Sequence, residues 1–262
     1  MKLRLFVLLF SVVTASCQKT TKVYIPREPS AGEDLNQSPQ GPALTIQKYE
    51  GTDKKQGETF GIKFGDTTVR ISGKGDPKSP ADRFSIAQFI NTQKSCLLVQ
   101  TADSTGLIAP FYLLNLNNGK LDVISLNRPS KGNDDARYTK GLTKIGLSGY
   151  LINNDYYVAA VYAKLYAVKR QVPEERIQGL YFLNSPDKKT LVFLISYTLY
   201  EVYYPTGETF SQLLSSKAPA DNPEHLYQWI QENYSWQKDA KHISFLKANV
   251  EDNRIRNFSE FK

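Results

Sequence analysis

Soft metal ligands are scarce in this chain. Among 262 residues there are two cysteines, two histidines and one methionine. A four-cysteine or multi-histidine zinc site cannot be assembled from that stock. A disulfide-dense scaffold is excluded with it. Catalytic signatures are missing as well. There is no Gly-x-Ser-x-Gly elbow, no phosphate-cradling glycine loop and no His-Glu-x-x-His pair. Gly61 and Gly65 are followed by Asp66 within an alternating strand pattern, so they are no nucleotide loop. No cofactor is expected. Basic clusters are also absent. The formal net charge of +7 is spread along the chain, and nucleic acid is not an expected partner.

What is present begins at the N-terminus. Lys2 and Arg4 precede a mostly apolar stretch from Leu5 to Val13. That stretch is well short of the ~20 residues of a membrane-spanning helix. It has the length and flanks of a secretory signal, residues 1–16. Small residues follow, then a cysteine: Val13-Thr14-Ala15-Ser16-Cys17. An ordinary secretory signal with a chance cysteine is the plainer reading. The pentapeptide resembles the lipobox of bacterial lipoproteins, with Thr14 where Leu is usual. The resemblance implies cleavage between Ser16 and Cys17, and diacylation of Cys17 as the mature N-terminus. It also implies that Gln18, which is not Asp, sorts the protein to the periplasmic face of the outer membrane. The inner membrane and the cell surface are the alternatives. Acyl chains would make the lipid bilayer the first partner, since two hydrophobic signals suffice for stable anchoring. The mature charge would be about +5. Cys96 would then be the sole thiol, and its neighbours Leu97, Leu98 and Val99 suggest a buried small hydrophobe rather than a nucleophile.

Residues 17–42 carry Pro26, Pro29, Pro39 and Pro42 among serines and glycines. They read as a lipidated start and a tether, whose r.m.s. span is roughly 25–30 Å. A single β-rich domain over 43–262 is expected to follow. Thr45–Tyr49, Phe60–Phe64 and Thr67–Ile71 alternate apolar and polar, as half-buried strands do. The last two form a hairpin about Gly65-Asp66, and a loop is expected over 72–82. Phe89–Val99, Tyr150–Ala160 and Phe182–Phe193 share a rhythm of apolar strand, Asn-led turn and apolar strand. Phe111–Leu121 and Leu199–Thr209 also match each other. Turn signals near 119, 174 and 207 recur at a mean spacing of about 44 residues, which suits four-stranded blades. Ser185-Pro186-Asp187-Lys188-Lys189-Thr190-Leu191 resembles the Ser-Pro-Asp-Gly-Lys-x-Leu turn of β-propellers, with Lys188 in place of the glycine. The expected fold is all-β with a short C-terminal helix, arranged as a propeller-like stack of antiparallel sheets. A β-sandwich or another all-β body is the alternative.

The helix is expected near 223–235. Asn222, Pro223 and Glu224 supply a cap, a first-turn proline and an acid at the positive dipole end. Two closing strands are expected at His242–Leu246 and Arg254–Phe258. His225 and His242 read as surface or core histidines. Asp134-Asp135 lacks the ligand spacing of a calcium loop, and Glu174-Glu175 and Glu251-Asp252 read as solvated turns. Ten tyrosines fall between Tyr150 and Tyr204. Strand propensity accounts for them; a sugar- or peptide-binding face is the sharper alternative. The expected function is a membrane-anchored, non-catalytic binding or scaffolding module of the cell envelope, with an envelope protein or glycan as partner. The alternatives are a polysaccharide-active enzyme with two remote carboxylates and an envelope-assembly subunit.

Overall fold

The structure is a computed structural model. It describes residues 20–30, 32–36, 40–50, 58–73, 76–102, 110–139, 141–147, 149–160, 162–219 and 222–249. The described chain is nearly all β. In order it runs β1 (Thr21–Tyr24), β2 (Leu44–Tyr49), β3 (Thr59–Phe64), β4 (Thr67–Gly73), β5 (Asp76–Ala81), β6 (Phe84–Phe89), β7 (Cys96–Thr101), β8 (Phe111–Asn117) and β9 (Lys120–Ser125). A single helical turn, α1 (Asp135–Tyr138), precedes β10 (Leu142–Ile145), β11 (Gly149–Ile152), β12 (Tyr156–Ala159) and β13 (Lys164–Ala167). Then come β14 (Leu180–Asn184), β15 (Thr190–Ile195), β16 (Thr198–Tyr203), β17 (Glu208–Leu213), α2 (Pro223–Asn233), β18 (Tyr234–Lys238) and β19 (Ser244–Ala248).

The hairpins form where the turn chemistry asks for them. Asn118 and Gly119 both take positive φ, 49° and 74°, which is the two-residue turn that matches strand twist. Asn153 and Asn154 also take positive φ, 51° and 55°, in the three-residue turn between β11 and β12. Lys188 stands at φ 64°, the left-handed position that the glycine of the propeller turn would fill. β6 to β9, β10 to β13 and β14 to β17 are each consecutive antiparallel meanders.

The first meander belongs to a nine-stranded, nearly closed, barrel-like sheet. Ile62, Val69, Ile71, Phe84, Leu97, Val99 and Leu114 fill its interior. The opposite faces of β7 and β8, with Cys96, Leu98, Phe111 and Leu113, pack on Ile152, Val158 and Leu165 of the second sheet. Because β7 is buried on both faces, its sequence is a continuous apolar run. The second sheet meets the third through Leu151, Tyr157, Phe193 and Val202. The far face of the third meets α2 and the β18–β19 hairpin through Val192, Leu199, Leu226, Ile230 and Leu246.

Three expectations are corrected. Within the segment read as a tether, Thr21–Tyr24, Arg27 and Glu33 to Leu35 are paired with the body. β1 pairs in parallel with β4. The Arg27 backbone bridges to β9: its N–H donates to the Val123 carbonyl at 2.9 Å and its carbonyl accepts from Ser125 at 2.8 Å. This segment spans the gap between β4 and β9, and Leu35 is fully buried in the core between the first two sheets. The physical cause is an otherwise open barrel edge and an apolar pocket, both built from residues far along the chain. Second, 76–81 is strand β5 on β4, not loop. Third, α2 ends at Asn233, and 234–238 becomes the strand that pairs with β19. The expected partner at 254–258 lies outside the described residues. The start of α2 is as expected: the Asn222 side chain accepts from the Glu224 and His225 amides at 3.0 and 3.2 Å.

Candidate functional site

A cleft of about 300 Å3 opens at the rim between the second and third sheets. It is lined by Tyr162, Lys164, Tyr166, Lys189, Tyr203, Tyr204 and Pro205. Period-two alternation places the β13 residues: Leu165 turns into the core while Lys164 and Tyr166 turn to the cleft. Tyr162 precedes β13 and is 56 % exposed. On the other wall, Tyr203 ends β16, and the Tyr204 N–H donates to the Lys189 carbonyl at 3.1 Å. That bond holds the turn after β16 against the Ser185–Lys189 turn. The latter is itself fixed by the Ser185 hydroxyl, which accepts from the Thr190 amide at 2.9 Å.

The cleft floor is aromatic. The Tyr204 ring lies 4.3 Å from that of Tyr157 and 4.9 Å from that of Tyr166, centroid to centroid. Burial pushes the Tyr157 phenol up to about 12. Burial, then the neighbouring tyrosines 157, 166 and 162, raises Tyr204 further. These two hydroxyls stay protonated across the physiological range. Among the described residues, neither Lys164 nor Lys189 stands in an ion pair. Among them, too, no carboxylate lines the cleft.

The open edge of β13 is already occupied. The Leu35 N–H donates to the Ala163 carbonyl, and the Leu165 N–H donates to the Glu33 carbonyl at 3.0 Å. Asp34 bridges Lys164 in antiparallel fashion. The wall therefore presents rings and amines rather than free backbone.

A second groove of about 330 Å3 lies between β14, α2 and β18, and includes Leu183, Tyr227, Ile230 and Trp236. The Asn184 Nδ2 beside it is buried without a hydrogen-bond partner among the described residues.

The residues singled out in the sequence fall elsewhere. Ser16 and Cys17 lie outside the described residues, as do Glu251 and Asp252. Cys96 is wholly buried, and burial drives its thiol far above its ordinary range. His225 and His242 are both exposed, on α2 and in the β18–β19 turn. Asp135 is bound by Arg176 at 2.9 Å and by the Gln178 amide; Glu174 pairs with Lys131 in solvent at 2.8 Å. Among the described residues no three His, Cys, Asp or Glu side chains gather as a metal ion needs. No described helix is long and apolar enough to cross a membrane.

Two buried carboxylates escape the sequence reading. Asp155 is fully buried and accepts from Arg170 at 2.9 Å and from Arg176 at 2.8 Å. Those arginines also donate to the carbonyls of Pro129 and Arg128, tying the loop after β9 to the second sheet. Glu201 is fully buried on β16 and faces β19. The two acids belong to different interfaces, and neither lines the cleft. No protein-family model matches the chain, and neither a curated protein nor a solved structure does.

Proposed function

We propose that the protein is a lipid-anchored, non-catalytic binding module at the periplasmic face of the outer membrane. Its body is read as a propeller-like stack of antiparallel sheets. The tyrosine–lysine cleft is its seat for an envelope partner. The observation that carries this reading is the cleft itself, with rigid aromatic faces, two amines outside any described ion pair and no described carboxylate to act as acid or base. Three successive meanders packed face to face support the propeller-like reading.

The mechanism is capture under confinement. Acylation of Cys17 holds the cleft at the membrane surface and raises the effective concentration of any ligand fixed to the same envelope. With β1 beginning at Thr21, the body is held close to the lipid rather than swinging at the end of a long tether.

Replacing Cys17 by Ala tests the anchor. Fatty-acid incorporation should vanish and the protein should move from the outer-membrane fraction to the soluble periplasm. Unchanged labelling and fractionation would refute it. Replacing Tyr162 by Ala tests the seat, because this exposed ring can be removed without opening the core.

An envelope-assembly role is the second reading. It is favoured by the groove between β14 and α2, with its exposed Tyr227 and its orphaned Asn184 amide. Stable co-purification of a membrane partner that is lost in Tyr227→Ala would support it.

A further inference from the structure

We propose that the cleft between the second and third sheets binds an acidic saccharide, with Lys164 and Lys189 meeting its carboxylates and the tyrosines stacking on its ring faces. This rests on reading the cleft as the ligand seat, and it names the ligand class.

Three observations lead there. The first is the absence of a free strand edge among the described residues of the cleft. An extended peptide binds most readily by adding a strand to an open sheet edge. Here the outer edge of β13 is filled by Glu33 to Leu35. The other wall comes from β16, an inner strand between β15 and β17. A peptide would find side chains but no ladder to join.

The second is the kind of surface. Tyr162, Tyr166 and Tyr203 offer flat apolar faces with polar tips, as the alternating C–H and O–H faces of a pyranose require. The buried phenols of Tyr157 and Tyr204 behind them keep their protons. The volume, about 300 Å3, sits at the small end of ligand sites, about 300–1,000 Å3. It suits one or two sugar units of a longer chain.

The third is charge. Lys164 is exposed on β13, whereas Lys189 is half-buried in the turn before β15. Neither stands in an ion pair among the described residues, and the cleft lining supplies no carboxylate; Asp34 is the one acid placed across from Lys164, at the rim. The nearby Glu208 is engaged by Lys241 through Oε1 at 3.1 Å, while its Oε2 is buried without a partner among the described residues. Two amines outside any described ion pair, of which Lys189 has no acid placed across from it, stand beside stacked rings and favour a ligand that brings its own negative charge.

The test is calorimetric titration of the full chain in detergent with trigalacturonate, with the neutral maltotriose and with hexaglutamate. Trigalacturonate should bind at least about tenfold more tightly than either of the others. Its affinity should fall as salt rises from about 50 to about 300 mM, as screening of charge contacts demands. Lys164→Ala and Lys189→Ala should each weaken trigalacturonate about tenfold and flatten the salt dependence, while leaving maltotriose unchanged. Tyr162→Ala should weaken both sugars together.

Equal binding of the neutral and acidic sugars would overturn the charge assignment and leave the cleft reading standing. Tighter binding of hexaglutamate would overturn the saccharide assignment. No saccharide binding at all would overturn the inference. Undiminished binding in Tyr162→Ala would overturn the cleft as the seat and the inference with it. Thermal melts of the three variants should match the parent, since Tyr162 and Lys164 are exposed and Lys189 lies in a turn.

Discussion

The Glu201 carboxylate accepts a hydrogen bond from the Leu246 amide at 2.8 Å across 45 residues of sequence. Its other oxygen accepts from the Gln212 Nε2 at 3.0 Å, and that same amide donates to the Leu246 carbonyl. Two side chains on the face of the third sheet thus grip one backbone unit of β19, much as a neighbouring strand would. The hairpin of β18 and β19 is docked by this grip and by the apolar layer around Leu246.

Burial pushes the Glu201 carboxyl up to about 8, against the opposing pull of the Leu246 amide, Gln212 and nearby Lys247. An unfolded glutamate releases its proton near 4.5. Between those values the folded state holds more protons than the unfolded one, so stability falls as pH rises through that window and levels off above it. The guanidinium midpoint should therefore be lower at about pH 9 than at about pH 5. Glu201→Gln, which cannot titrate, should lose most of that difference. An unchanged pH profile in the variant would place the titration elsewhere.

Asp155 joins two buried arginines, so removing its charge strands Arg170 and leaves Arg176 with Asp135 alone. Asp155→Asn should cost about 3–5 kcal/mol, the range for breaking a buried pair on one side only. Urea denaturation followed by circular dichroism measures it. A loss under about 1 kcal/mol would mean that water reaches the arginines in solution.

Leu35 distinguishes a packed strap from a loose tether. Leu35→Ala should destabilise by about 2–5 kcal/mol through the cavity left between the first two sheets. The same change in an exposed linker stays within about 0.5 kcal/mol. The urea midpoint decides between the two.

Cys96 should be silent. Its thiol is fully buried and held protonated by that burial, and the thiolate is the reactive form. On the reading that Cys17 is acylated, the native protein should give no rapid reaction with a thiol reagent and one equivalent after denaturation. Rapid native labelling would show that the core around Leu98 and Phe111 opens.

The hairpins are readable because their signals are local. Asn118-Gly119, Asn153-Asn154 and the Ser185–Lys189 turn carry their own backbone requirements, and the flanking alternation sets the strands. The closing strand is not readable. Thr21 to Tyr24 alternates for only four residues among prolines, and its partners, Thr68 to Ile71, lie 47 residues away. The Arg27 bridge reaches farther still, to Ile124. Leu35 stands alone among polar neighbours, so nothing nearby announces that it is buried. The cleft is half legible. Its tyrosines stand out as a cluster, but which of them converge depends on how β13 meets β16. Lys164 and Lys189 give no signal at all, being ordinary surface lysines until the two sheets meet. Glu201 is the missed clue: an acid between Tyr200 and Val202, in a strand otherwise buried, asks for partners.

The parallel pairing of β1 with β4 has a mechanical meaning. From Cys17 to Thr21 the chain reaches at most about 14 Å. On the anchored reading, any pull between membrane and body therefore arrives almost directly at the first residue of β1, along the strand axis. In that geometry the rungs from Thr21–Thr68 to Tyr24–Ile71 carry the load together, in shear. Arg27 adds a second stop beyond them through Asp122 at 2.7 Å. A ligand tugging on the cleft would strain this seam as a whole rather than peel it rung by rung, so the attachment is built to bear tension.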